Sequence, residues 1–125
     1  MEIAECDVRG VVILDLQGRF VLEDGVTPFV ERMNALRRHG RKWILLNFER
    51  VTYLDSAGVG AIAWKYVTAR KQDADVKLLN LRPRSFKVLD TTRLLTVLAS
   101  FQSELEAVES FFVDREDDEV NPIFS

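Results

Sequence analysis

The chain holds a single cysteine, Cys6, and a single histidine, His39, in 125 residues. One thiol forms no intramolecular disulfide and builds no cysteine zinc cluster, which fits a reducing compartment. His39 closes a predicted helix, where a cation complements the dipole. A histidine-based catalytic triad or a multi-histidine metal site therefore has no home here. Basic charge is also in short supply: 17 Lys and Arg face 20 Asp and Glu, giving a net charge of -3 and a pI near 5.2. A general nucleic-acid binder needs a basic surface to displace counterions, so that class is excluded. Long apolar runs are missing. Val11-Val12-Ile13-Leu14 and Trp43-Ile44-Leu45-Leu46 fall far short of the roughly 20 residues that span a bilayer. The opening Met1-Glu2-Ile3-Ala4-Glu5 is acidic where a secretory signal is basic and then apolar. A cytoplasmic location with no membrane insertion is expected.

Phosphate-cradling loops are missing as well. Gly58-x-Gly60 is not followed by Lys-Ser/Thr, and the G-x-G-x-x-G spacing fails at Ala63. A receiver domain would place an acceptor aspartate at the end of its third strand and a lysine after its last. Asn47 and Ala99-Ser100-Phe101 stand at those places. The carboxylates of the predicted core segments are spread singly, so paired-carboxylate catalysis is not indicated, and no enzymatic activity is expected.

What is present suffices for one domain. At this length a chain buries roughly two-thirds of its unfolded surface, and 47% hydrophobic against 30% charged residues is ordinary for a globular fold. Ala4, Cys6 and Val8 alternate with polar residues and read as an edge strand. Arg9-Gly10 closes a hairpin into Val11–Leu16, apolar on both faces as in a strand inside a sheet. Thr27-Pro28 reads as a helix cap and first helical residue, with Phe29, Met33 and Leu36 as the buried stripe and Gly40 as the stop. A strand over Trp43–Phe48 follows, then a helix from near Ser56 with Val59, Ile62, Ala63, Tyr66 and Arg70 on one face. Val76–Leu81 reads as a strand, Pro83 opens a short helix with Phe86, Val88 and Leu89, and Leu95–Ala99 reads as the last strand. Ser103 and Glu106 have capping-box spacing, and Leu105, Val108 and Phe112 supply the apolar stripe of the final helix. Two strands followed by helix–strand units predict an α/β domain over 1–113. Its sheet is mixed and mostly parallel, of about five strands, with about four helices packed against it. From 114 to 125 the composition turns acidic and predicts a flexible, solvated tail.

One segment asks for a chemical explanation: Val51-Thr52-Tyr53-Leu54-Asp55-Ser56-Ala57-Gly58-Val59-Gly60. Ser56 stands where a loop becomes a helix, and its simplest role is as the N-cap. Two glycines in the next turn each cost about 1 kcal/mol relative to alanine, which close backbone approach to a strand or a docking partner would explain. A helix start also tolerates an added phosphate, because the N–H groups and the dipole favour negative charge.

These residues resemble a STAS domain of the anti-sigma factor antagonist type. The resemblance is carried by Ile44-Leu45-Leu46-Asn47-Phe48 and by Asp55-Ser56-Ala57-Gly58-Val59-Gly60. Leu16-x-Gly18-Arg19-Phe20, the turn Thr92-Arg93-Leu94 and Ala107 add to it, and it covers about residues 8 to 112. The resemblance implies a STAS fold and a bacterial partner-switching module. Unphosphorylated, such a protein binds an anti-sigma factor that is also a serine kinase and frees a sigma factor; phosphorylated, it dissociates. The phosphoacceptor maps to Ser56, with Asp55, Ala57, Gly58 and Gly60 around it. Phe20, Val21, Trp64 and Lys65 are further candidates for the partner surface, although the spacing of Trp64 suits a core position equally well. ATP and magnesium belong to the kinase, so no cofactor is expected in this chain, and a phosphatase is a further expected partner. Two residues depart from the family pattern: Val21 stands where an aspartate is frequent, and Ala57 where a second hydroxyl is common. A second reading is a non-switching STAS scaffold, in a stressosome-like assembly or as the soluble subunit of a lipid transport system, with Ser56 only a cap. A ligand-binding or enzymatic domain is a third reading, disfavoured by the absent catalytic groups.

Overall fold

The chain begins with a hairpin closed by its tightest permissible loop. Strand β1 (Glu2–Val8) pairs antiparallel with β2 (Val11–Phe20) through Arg9-Gly10. Both loop residues have positive φ, at 56° and 89°, the geometry whose twist matches a two-residue hairpin. Gly10 adopts it freely, and its N–H donates to Asp7 Oδ1 at 2.9 Å. The computed structural model describes residues 1–120, with side chains described through Val113.

From β2 onward every connection is a helical crossover. Helix α1 (Val26–Arg38) leads to β3 (Trp43–Leu54), α2 (Ser56–Lys71) to β4 (Asp75–Leu79), and α3 (Pro83–Thr91) with a 3-10 turn (Leu94–Thr96) to β5 (Ser100–Phe101). The strand order is β1-β2-β3-β4-β5, antiparallel at the first pair and parallel at the other three. Parallel crossovers are right-handed, so a strand order that advances in one direction sets α1, α2 and α3 on the same face. Period-2 alternation supplies that face with Val12, Leu14, Leu16, Ile44, Leu46, Phe48, Val76 and Leu78, which pack with Phe29, Met33, Ile62 and Leu89. The opposite residues, Val11, Ile13, Leu45 and Leu79, are covered by the last helix, α4 (Glu104–Val120), through Ala107, Val108 and Phe111.

The expected architecture holds, a mixed, mostly parallel sheet of five strands with four α-helices, and four local expectations give way. Residues Leu95–Ala99 are not the last strand: Leu94–Thr96 form the 3-10 turn, entered through Arg93 at φ 61°, and the strand is the two residues after Ala99. Helix α1 starts at Val26 with Gly25 as its cap, so Thr27 caps nothing and Pro28 sits two residues further in than expected. On α2 the buried set is Gly58, Val59, Ala61, Ile62 and Lys65, whereas Ala63 and Tyr66 are half-buried and Arg70 is exposed. On α4 the stripe is turned: Leu105 is 65% exposed, and Ala107, Val108 and Phe111 face the sheet. Phe112 instead meets Trp43 edge-on, with ring centroids 4.9 Å apart. The backbone of α4 continues through Val120 into the acidic segment. Side chains from 114 on, and the whole of 121–125, lie outside the described residues, so the expectation of a flexible tail does too.

Candidate functional site

Strand β3 outruns its neighbour β4. Trp43–Asn47 pair with Asp75–Leu79, whereas Arg50, Val51, Tyr53 and Leu54 pair only with β2, at Gln17, Gly18, Arg19 and Phe20. Two register shifts break this part of the ladder, and Gly18 there has φ +108°. The ribbon carries the β2–α1 loop and the β3–α2 turn to one end of the sheet and fixes them side by side.

Asp55 locks the two together. It is the N-cap of α2, where Ser56 was expected to be, and Ser56 is the first residue inside the helix. Asp55 Oδ1 accepts from the Gly58 N–H at 2.9 Å, and Oδ2 accepts from the Leu22 N–H of the neighbouring loop at 3.2 Å. The Gly58 bond is the main reason its carboxyl is held below the ordinary aspartate value, with the Leu22 N–H adding to it. The Asp55 N–H donates in turn to the Phe20 carbonyl at 3.3 Å.

The two glycines of the motif have different reasons to be there. A Cβ on Gly58 would lie 2.5 Å from the Phe20 carbonyl oxygen and 2.8 Å from Leu54 Cδ1, so the helix packs too closely on β2 and β3 for any side chain. A Cβ on Gly60 would have nothing within 4 Å. No internal contact requires glycine at 60.

Helical spacing aligns Ser56, Gly60, Trp64 and Val67 on the solvent face of α2. The Ser56 hydroxyl is exposed and has no hydrogen-bond partner among the described residues. Trp64 is 57% exposed, so the surface alternative holds and the core alternative does not. Leu22 in the β2–α1 loop and Tyr53 near the end of β3 are exposed beside this turn, and with Val67 they were not singled out by the sequence. Val67 had a readable signal, since it follows Ser56 at the spacing of one helical face. Phe20 and Val21, expected on the partner surface, are buried: Phe20 is 0% exposed, with its ring 5.0 Å from that of Phe29. Phe20 contributes its carbonyl to the site and its ring to the core, and the Val21 carbonyl receives the Asp24, Gly25 and Val26 N–H groups that shape the loop. Lys65 likewise points inward. Among the described residues no three His, Cys, Asp or Glu side chains gather to hold a metal, and no helix is long and apolar enough to cross a membrane.

Comparison with known proteins agrees with this geometry. Residues 8–107 match the model of the STAS domain family. An anti-sigma F factor antagonist of Paenibacillus polymyxa is 25% identical over 103 residues, covering 80% of this chain and 86% of that protein. The anti-sigma factor antagonist SpoIIAA in its unphosphorylated form has a TM-score of 0.66 at 21% identity, covering 88% of this chain and 97% of that one. The Bacillus cell fate determinant SpoIIAA in its phosphorylated form gives 0.69 at 23%, covering 88% and 99%. With a family match that takes in both the ribbon and the Asp55-Ser56 turn at its tip, the chain belongs to the STAS domain family.

Proposed function

We propose that the protein is an anti-sigma factor antagonist. It binds an anti-sigma factor that is also a serine kinase, through the face of α2 that begins at Ser56, and is switched off when Ser56 is phosphorylated. The observation that carries this reading is the exposed Ser56 hydroxyl with no internal partner, at the head of a helix face that goes on through Gly60 and Trp64. A structural cap would be bonded, and here Asp55 does the capping. The names of the relatives support the same assignment. The chain acts by binding; ATP and magnesium come with the kinase, and a phosphatase restores the hydroxyl.

Gly60 fits the reading as well. An exposed glycine within a helix costs about 1 kcal/mol relative to alanine, and a partner backbone lying close to α2 gives that cost a function. Trp64 and Leu22 supply exposed apolar area on either side, and aromatic anchors carry much of the energy of protein interfaces.

Incubation with the cognate kinase and ATP, followed by peptide mapping, is expected to place one phosphate on Ser56. A phosphate elsewhere, or none, overturns the proposal. Ser56→Ala is expected to retain partner affinity and Ser56→Asp to lose at least about tenfold, roughly 1.4 kcal/mol. Equal affinities of the two variants would contradict the switch.

A further inference from the structure

A second site lies away from Ser56, in a cavity of about 80 Å³ between α1 and the second half of α2. Its floor is apolar, with Met33 and Leu36 from α1, Ile44 from β3 and Ala69 from α2. Its charged lining is of one sign: Arg37, Arg41, Lys42 and Lys65, with no carboxylate among them. Arg41 is already paired with Asp7. Arg37 lies in the last turn of α1, where a cation complements the helix dipole. Neither circumstance applies to Lys65.

Lys65 is in the middle of α2 and is only 6% exposed. Lysine is almost never buried to that extent without a partner for its charge. Its ammonium has three N–H donors. Asn34 Oδ1 accepts one at 2.6 Å, and the Trp64 ring lies 4.0 Å from Nζ. Both are neutral, and among the described residues no carboxylate pairs with it. Burial, with Arg37 adding to it, pushes the ammonium's pKa down, which is the response of a positive charge that lacks a counterion.

We propose that this cavity binds a small carboxylate with a short apolar chain, its carboxylate on Lys65 and Arg37 and its chain on the Met33, Leu36 and Ile44 floor. The apolar floor favours an acyl chain over a tailless anion. An apolar cavity of about 150 Å³ holds the six carbons of benzene, so about 80 Å³ takes roughly three, the terminal three of a pentanoate chain. The assignment is independent of the switch at Ser56.

The test is a titration of the full chain followed by amide NMR, with sodium pentanoate as probe, 1-pentanol as the uncharged control and sodium phosphate as the tailless anion. Pentanoate is expected to give saturable shifts at the Asn34, Lys65 and Ala69 amides. Pentanol and phosphate are expected to bind at least about tenfold more weakly, the worth of a charge-assisted hydrogen bond or of a few buried methylenes. Lys65→Met keeps the packed stem and removes the charge, and is expected to weaken pentanoate binding by about tenfold or more. The proposal is overturned if no saturable shift appears at those amides, if pentanol or phosphate binds as tightly as pentanoate, or if Lys65→Met binds unchanged. Should Lys65→Met fail to fold, Arg37→Gln decides in its place: weakened pentanoate binding supports the site, and unchanged binding overturns it.

Discussion

Gly58 and Gly60 are two residues apart in one helical turn, and their substitution by alanine should have opposite effects on the fold. At Gly58 the new Cβ would meet the Phe20 carbonyl oxygen at 2.5 Å, a backbone atom already engaged with Asp55 and not free to withdraw. Overpacking of this kind costs about 1–3 kcal/mol and outweighs the gain in helix propensity, so Gly58→Ala should lower the unfolding free energy in urea. At Gly60 the space is open, and Gly60→Ala should raise stability by about 1 kcal/mol while weakening anti-sigma factor binding. A stabilised variant with undiminished binding would remove Gly60 from the partner surface. Asp55 titrates with a known sign. Its folded carboxyl lies below the ordinary value of 3.8, so the stability it contributes is complete above that value and is lost as pH falls through the lowered one. Asp55→Asn keeps a capping oxygen without a charge that titrates. The stability gap between wild type and Asp55→Asn should therefore be constant at neutral pH and close below about pH 4, as read from urea midpoints. The sequence singled out this turn and misassigned its cap, because aspartate and serine cap equally well and adjacent candidates are separated only by backbone geometry. It could not separate Phe20 from Tyr53 either. Both are aromatic residues near strand ends, and only the register of the ribbon decides that one ring faces α1 and the other faces solvent.

Among the elements, α4 shows where periodicity is legible and where it is not. Its existence and start were readable: Ser103 Oγ accepts from the Glu106 N–H at 3.3 Å, one half of the expected capping box. Its phase was not, because Leu105-x-x-Val108 and Val108-x-x-Phe111 are equally good helical pairs and Phe111-Phe112 offers an aromatic to either. Contact with Val11, Ile13, Leu45 and Leu79 selects Phe111. Phe111→Ala should then cost about 3–5 kcal/mol, whereas Leu105→Ala should stay within about 0.5 kcal/mol, by chemical denaturation of each variant. Comparable losses would restore the phase read from the sequence. The final strand was misplaced for a related reason. Leu94-Leu95-Thr96-Val97-Leu98 is apolar and β-branched enough to be a strand, yet Arg93 in the left-handed region turns the chain into a 3-10 helix over Leu94–Thr96, and of the run only Leu98, beyond that helix, is fully buried. A two-residue strand leaves too short a pattern for periodicity to register. The crossover helices α1 to α3 were legible because each lies between punctuating residues and strands with a continuous apolar run.

For the molecule as a whole, the net charge of -3 hides an uneven distribution. Residues 114–119 carry five acids and one base, and the rest of the chain sums to +1. A phosphate on Ser56 adds a charge of about -2, so it takes that remainder from +1 to about -1, at the end of the ribbon where the proposed partner docks. Taking a complex from 99% bound to 1% bound requires about 5.5 kcal/mol. A unit-charge repulsion at 4 Å near a protein surface is worth roughly 4 kcal/mol, so a dianion facing a partner carboxylate is sufficient without any rearrangement of the fold. The closeness of Asp55 to Ser56 works in the same direction, since the cap's own negative charge favours a phosphate directed outward, toward the partner. If charge performs the switching, salt must weaken it, because the Debye length falls from about 10 Å at 0.1 M to about 3 Å at 1 M. The ratio of partner affinities between the unphosphorylated and Ser56-phosphorylated forms should therefore shrink steadily as sodium chloride is raised, as read by calorimetry at matched pH. A ratio that stays constant with salt would mean that the phosphate acts by bulk or by displacing the β2–α1 loop from Asp55, and the electrostatic account would fall while phosphorylation at Ser56 remained.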